Sequence, residues 1–219
     1  MELNILMIDD HPAIIEGYKA ILSFNTLGYN IKITDAYDCK KAYNIITQDN
    51  KPNFKMVFID ITLPGYPDKK INSGEDLVSI IRKFIPYAKI VILTSHTEKF
   101  ILHRLIEKCK PDGLLLKNDM DAKEFLIAFS TILNGEYYHS ETVKKYKFTF
   151  PTHTKLLDNY NQQIILFLSQ GLKNKTIQER LHLSRSAVDK RKVMIKTYLG
   201  IEKGNDEDII REARKLGLI

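Results

Sequence analysis

Five short apolar runs recur through the first half of the chain: LNILMI (3–8), NIKIT (30–34), MVFI (56–59), KIVILT (89–94) and GLLL (113–116). Near-continuous apolar runs of this length read as strands buried on both faces. Helix-spaced apolar sets follow each run: Ile14, Ile15, Tyr18, Ile21 and Leu22; Ala42, Ile45 and Ile46; Leu77, Ile80, Ile81 and Phe84; Leu102, Leu105 and Ile106; Phe125, Phe129, Ile132 and Leu133. Strand and helix therefore alternate five times, which predicts an α/β fold with a doubly wound parallel sheet. Such sheets bind ligands beyond the carboxyl ends of their strands.

Those ends are where the polar residues fall. The first run ends in Asp9 and Asp10, the third in Asp60, the fourth in Thr94 and Ser95, and the fifth in Lys117. A carboxylate closing a buried strand, as in VFIDITLPG, costs solvation energy unless a cation or hydrogen bonds offset it. Asp10, Asp60 and the carbonyl of Thr62 form an oxygen set suited to Mg²⁺, with Asp9 holding a bound water. Lys117 is placed to pair with Asp60 and Thr94 to donate to a second phosphoryl oxygen. Each of these is an ordinary residue at a strand end. Together, in this order, they describe acceptance of a phosphoryl group on Asp60.

The motifs MIDDHP, IDITLPG, LTSH and LLLKN make the chain from Met1 to about Leu133 resemble the receiver domain of two-component response regulators. The resemblance implies a flavodoxin-like five-stranded sheet in the order 2-1-3-4-5 and a sensor histidine kinase as phosphoryl donor. It assigns Asp60 as phosphoacceptor and Asp9 and Asp10 as metal-binding acids. Thr94, with Ser95 beside it, becomes the switch hydroxyl, and Lys117 the phosphate-contacting lysine. Two departures stand out. The loop GYPDKKINSG after Asp60 is several residues longer than usual, and Leu114 occupies a position that is commonly aromatic. A phosphohydrolase of the haloacid dehalogenase type needs a carboxylate two residues after its nucleophile. Thr62 stands there, so a signalling site is expected and not an enzyme.

The second half differs in charge. Residues 1–130 hold 17 basic and 17 acidic residues, whereas 131–219 hold 16 and 10, which accounts for the net +6. A neutral half followed by a basic one suggests two units, the second facing a polyanion. Residues 135–155, including the lysines at 144, 145 and 147, read as a solvated linker with a short extended piece. Beyond it, helical spacing resumes, broken at Leu183-Ser184, with Ser184 suited to cap the next helix. On that helix Val188, Lys192, Ile195 and Leu199 share the inward stripe. Ser186, Lys190, Val193 and Thr197 lie opposite, flanked by Arg185, Asp189 and Lys196. A last helix is expected from about Asp206 to Leu216, capped by Asn205 or Asp206 and ended by Gly217. From Gly171 to Lys203 there are nine basic and three acidic residues, and a short basic helix after a tight turn suits a DNA major groove.

Gly171, Asn174, Lys175, Ile177, Leu181, Ser184, Val188 and Leu199-Gly200 make this segment similar to the LuxR-type, NarL-like helix-turn-helix. The resemblance spans roughly 156–219 and implies double-stranded promoter DNA as a partner. Lys173 and Lys175 are expected at phosphates, with Arg185, Ser186, Lys190 and Lys196 near the groove. Asn161, Asp189 and Arg191 depart from the family pattern, and Asp189 suits a cytosine amine.

The expected architecture is thus a receiver at 1–134, a linker at 135–155 and a small all-α DNA-binding domain at 156–219. The expected function is a phosphorylation-controlled transcription factor acting as a homodimer. The alternative is a constitutive DNA-binding regulator whose receiver only dimerises. Two isolated cysteines, no apolar span of membrane length and no signal peptide point to a reducing, cytoplasmic location. The six histidines have no metal-ligand spacing, and His11 is expected to shape the turn into the first helix.

Overall fold

The computed structural model describes residues 2–147, 158–216 and 218–219. It forms two compact units, Met1–His96 with Arg104–Lys145, and Thr97–His103 with Tyr146–Ile219.

The five expected strands are present as β1 (Glu2–Ile8), β2 (Asn30–Ala36), β3 (Phe54–Asp60), β4 (Lys89–Thr94) and β5 (Gly113–Leu116). They pair in parallel in the order β2-β1-β3-β4-β5. The helices are α1 (Pro12–Ser23), α2 (Cys39–Thr47), α3 (Gly74–Phe84), α4 (Lys99–Arg104) and α5 (Ala122–Leu133). Leu3, Ile5, Met7, Met56, Phe58, Val91, Leu93 and Leu115 pack with Ile15, Leu22, Phe125 and Phe129 in one core. The alternate strand residues Leu6, Ile8, Val57, Ile59, Ile90, Ile92 and Leu114 are buried as well. Alternate side chains leave a strand on opposite faces, so burial of both sets is why the sequence runs were nearly continuous. The fourth helix departs from a plain α-helix. It passes into a π-helical turn at Leu105–Cys109, and Lys110 ends that turn in the left-handed region.

Two expectations need correction. The sheet has six strands, because β6 (Tyr138–His139) pairs in parallel with β5. Tyr138 N donates to Asp112 O at 3.1 Å and Ser140 N to Leu114 O at 3.1 Å. Backbone groups on the open edge of β5 require partners, and this segment supplies them. The stretch read as a linker is therefore ordered up to Lys147: α6 (Glu141–Lys147) follows β6. Asp119 anchors α6 by accepting from Thr142 N at 3.0 Å and from Thr142 Oγ1 at 2.9 Å. Lys144 belongs to this helix, paired with Glu141 at 2.8 Å. Linker positions 148–155, and Gly217, lie outside the described residues.

The second unit contains α7 (Asn159–Ser169), α8 (Asn174–Leu181), α9 (Arg185–Tyr198) and α10 (Asp206–Lys215). Ile164, Ile165, Ile177, Val188, Ile195, Ile209 and Ala213 form its buried centre. Ser184 caps α9 by accepting from Ala187 N at 3.2 Å. Asn205 and Asp208 form a reciprocal capping box at α10. Such caps satisfy amide groups that a helix start leaves unpaired.

Candidate functional site

The carboxyl rim of the sheet brings two of the expected acids, Asp9 and Asp60, together around one lysine. Lys117 Nζ lies 2.6 Å from Asp9 Oδ2 and 2.7 Å from Asp60 Oδ2, and all three side chains are largely buried. Burial alone disfavours the ammonium, but its bonds to Asp60 and Asp9 outweigh that and raise the Lys117 pKa. Asp60 is also held by its own loop, since Thr62 N donates to Asp60 Oδ1 at 3.0 Å. The outer residues of the loop are ordered: Tyr66 and Ile71 form an antiparallel bridge around a 3₁₀ turn at Pro67–Lys69. The loop closes at Gly74, where any Cβ would overlap the carbonyl oxygen of Asp60.

Thr94 is fully buried at the end of β4, one register position beyond the partner of Asp60. Its Oγ1 accepts from His96 N at 3.1 Å. The His96 ring returns towards the phosphoacceptor loop, with Nε2 3.4 Å from Thr62 Oγ1. Ser95 is exposed, while Leu114 is fully buried. Tyr18 stacks on Phe125 with ring centroids 4.7 Å apart. Burial first, then the charges of Asp9 and Asp60, pushes its phenol pKa up.

Asp9, Asp10 and His11 each offer a ligand atom within 4.8 Å of the others. His11 was not among the expected metal ligands; its place directly after two acids is the only signal the sequence carries. It also starts α1, donating its backbone N–H to Asp9 Oδ1 at 3.0 Å. Asp10 Oδ1 is buried without a hydrogen bond, although His11 Nδ1 stands 2.7 Å away. Adjacent carboxylates crowded at one end of the sheet are what a bound divalent cation relieves. The donor set therefore fits a hard divalent ion.

In the second unit, five of the six expected nucleic-acid contacts point outward. Lys173, Lys175, Arg185, Ser186 and Lys190 are exposed. Lys196 is half-buried, its Nζ donating to Gly204 O at 2.7 Å. Two neighbouring cations of α9 serve the fold. Arg191 Nη1 bonds both oxygens of Asp158, at 2.8 and 2.6 Å, and Asn161 Oδ1 at 3.0 Å. Its guanidinium lies 4.6 Å from the Tyr160 ring centroid. Lys192, on the inward stripe, is buried and pairs with Asp206 at 2.6 Å and with Asn174.

A doubly wound sheet carrying two strand-end acids, a buried hydroxyl and a bridging lysine defines a receiver, and the chain belongs to the response regulator receiver domain family, whose profile matches residues 5–128. Over 213 residues it is 29% identical to the oxygen regulatory protein NreC of Staphylococcus haemolyticus (strain JCSC1435), covering 91% of this chain and 92% of that one. Its fold resembles RcsB from Salmonella enterica serovar Typhimurium, solved bound to promoter P1flhDC in the presence of the phosphomimetic BeF3-. That likeness has a TM-score of 0.63 at 20% identity, over 96% of this chain and 97% of RcsB. A two-component response regulator RcsB-DNA complex gives 0.61 at 20% identity, over 98% of each chain.

Proposed function

We propose that this chain is a phosphorylation-controlled, DNA-binding transcription regulator whose receiver takes a phosphoryl group from a histidine kinase onto Asp60. The observation that carries the reading is the Lys117 bridge between two buried carboxylates at the strand ends. An Asp60 oxygen attacks the phosphorus of a phosphohistidine, the P–N bond breaks, and the imidazole leaves with a proton. Lys117 holds the Asp60 carboxylate in place before attack and offers its charge to the phosphoryl oxygens afterwards. Thr62 N at Oδ1 and Lys117 at Oδ2 together fix the orientation of the Asp60 carboxylate. Thr94 Oγ1, which accepts from His96 N, keeps its hydroxyl proton to donate to a phosphoryl oxygen. Asp9, Asp10, Asp60 and the Thr62 carbonyl would hold Mg²⁺, which when bound neutralises the crowded negative charge of phosphoryl transfer.

Relatives that cover nearly the whole chain, and a solved relative bound to promoter DNA, support the second half of the proposal. Lys173, Lys175, Arg185, Ser186 and Lys190 form the DNA-facing surface, and Lys196 joins them on releasing Gly204. The chain acts as a homodimer on two half-sites, with its functional boundary between 134 and 156. Phosphorylation shifts the receiver between states only as far as it stabilises one over the other.

The test is phosphoryl uptake from acetyl phosphate with and without Mg²⁺, on wild type and Asp60→Asn, followed by duplex binding of each product. Mg²⁺-dependent uptake is expected in wild type alone, together with a change in DNA affinity. Uptake without any change in affinity or oligomeric state would favour constitutive binding.

A further inference from the structure

The outward strip of α9 changes character along its length. Its first turns present Ser186, Asp189 and Lys190, and its later turns present Val193 and Met194. Val193 is 63% exposed and Met194 56% exposed, the largest apolar exposures in the helix. Neither is needed for packing, because Val188, Lys192 and Ile195 fill the inward face. Thr197, one turn beyond Val193, commits its hydroxyl to Val193 O at 3.1 Å and offers no free donor there.

The nature of the occupant follows from what surrounds this pair. Exposed Lys190 and Arg185 share the helix, and exposed Lys173 and Lys175 open α8. An apolar protein partner would have to desolvate these cations, whereas a nucleic-acid groove neutralises them. In the major groove one base carries an apolar group on its edge, the C5-methyl of thymine. Resting on the DNA-binding reading above, we infer that Val193 and Met194 read thymine methyls, and that they, with Asp189 and Lys190, set the sequence preference of this chain. Asp189 accepts from a cytosine amine, Lys190 donates to guanine, and the apolar pair selects thymine at the adjoining step.

Deoxyuridine differs from thymidine only by this methyl, which makes the inference directly testable. Full-length protein, phosphorylated from acetyl phosphate, is used to select binders from random duplex DNA. Each selected thymine is then replaced singly by deoxyuridine. At one or two positions per half-site, removing the methyl should weaken wild-type binding roughly four-fold, the worth of one buried methyl. Val193→Ala or Met194→Ala should abolish that difference while leaving the salt dependence of binding unchanged. Equal affinity for thymidine and deoxyuridine at every position overturns the inference, as does discrimination that survives both substitutions. In those two outcomes DNA binding itself still stands. Absence of salt-sensitive binding to any duplex overturns both the inference and the reading beneath it.

Discussion

Lys117 concentrates the energetics of the receiver in one side chain. Two carboxylates more than nine-tenths buried share its ammonium, and removing one partner of a buried ion pair leaves an uncompensated charge. Lys117→Met should therefore destabilise the receiver by about 3 kcal/mol and slow phosphoryl uptake. Millimolar Mg²⁺ should restore more stability to the variant than it adds to wild type. Chemical unfolding with and without the ion checks this. Because the folded pKa of Lys117 is raised above its ordinary 10.5, its stabilisation is complete below that value and fades as pH climbs through the higher folded one. The bridge itself was half legible. Hydropathy marked Asp60 as a charge needing a partner and strand order brought Lys117 near it. The sharing of Lys117 with Asp9 depends on side-chain reach that periodicity does not encode. Arg191 and Lys196 were opaque for a related reason: their partners, Asp158 and Gly204, lie on other segments.

At the scale of elements, short connections decide more than long ones. The tie from α9 to the start of α7 runs through Arg191 and Asp158. Burial raises the Asp158 pKa, but the bonds from Arg191 and the Asn161 and Tyr160 backbone lower it further, leaving it below 3.8. Its stabilisation is thus full above 3.8 and is lost as pH falls through the lower folded value. Arg191→Met should reduce this acid-side loss, at a cost of up to about 1 kcal/mol at neutral pH because the pair is partly exposed. Unfolding followed across acidic pH measures both effects. At the other unit's edge, fully buried Ser140 accepts from Leu116 N at 3.2 Å. Ser140→Ala leaves that amide unpaired and should cost about 1–3 kcal/mol, read as a lowered denaturation midpoint. Of these, only a short extended piece within the linker was legible beforehand: a two-residue strand has no period to fix its place, and ETVKKYK carries too few apolar residues to mark a helical face.

For the molecule as a whole, charge is distributed by role. Residues 1–130 are electrically balanced, and the excess of +6 falls entirely after them. That asymmetry was legible in composition, but the number of available cations was not, since Arg191 and Lys192 pair within the fold and Lys196 must first release Gly204. The four outward cations Lys173, Lys175, Arg185 and Lys190 set the expected salt response. The logarithm of DNA affinity should fall against log salt with a slope of about −3 to −4 per chain, and Lys173→Ala with Lys175→Ala should reduce its magnitude by roughly two. Titration at several salt concentrations gives the slope. One further consequence concerns the order in which the chain is made. Synthesis runs from the N-terminus and domains fold as they emerge, yet β6, which covers the free side of β5, arrives after every other strand. During translation the receiver therefore spends an interval with its last core strand bare, and bare strand edges recruit other chains. Release from the ribosome of the few residues around Ser140 ends that interval.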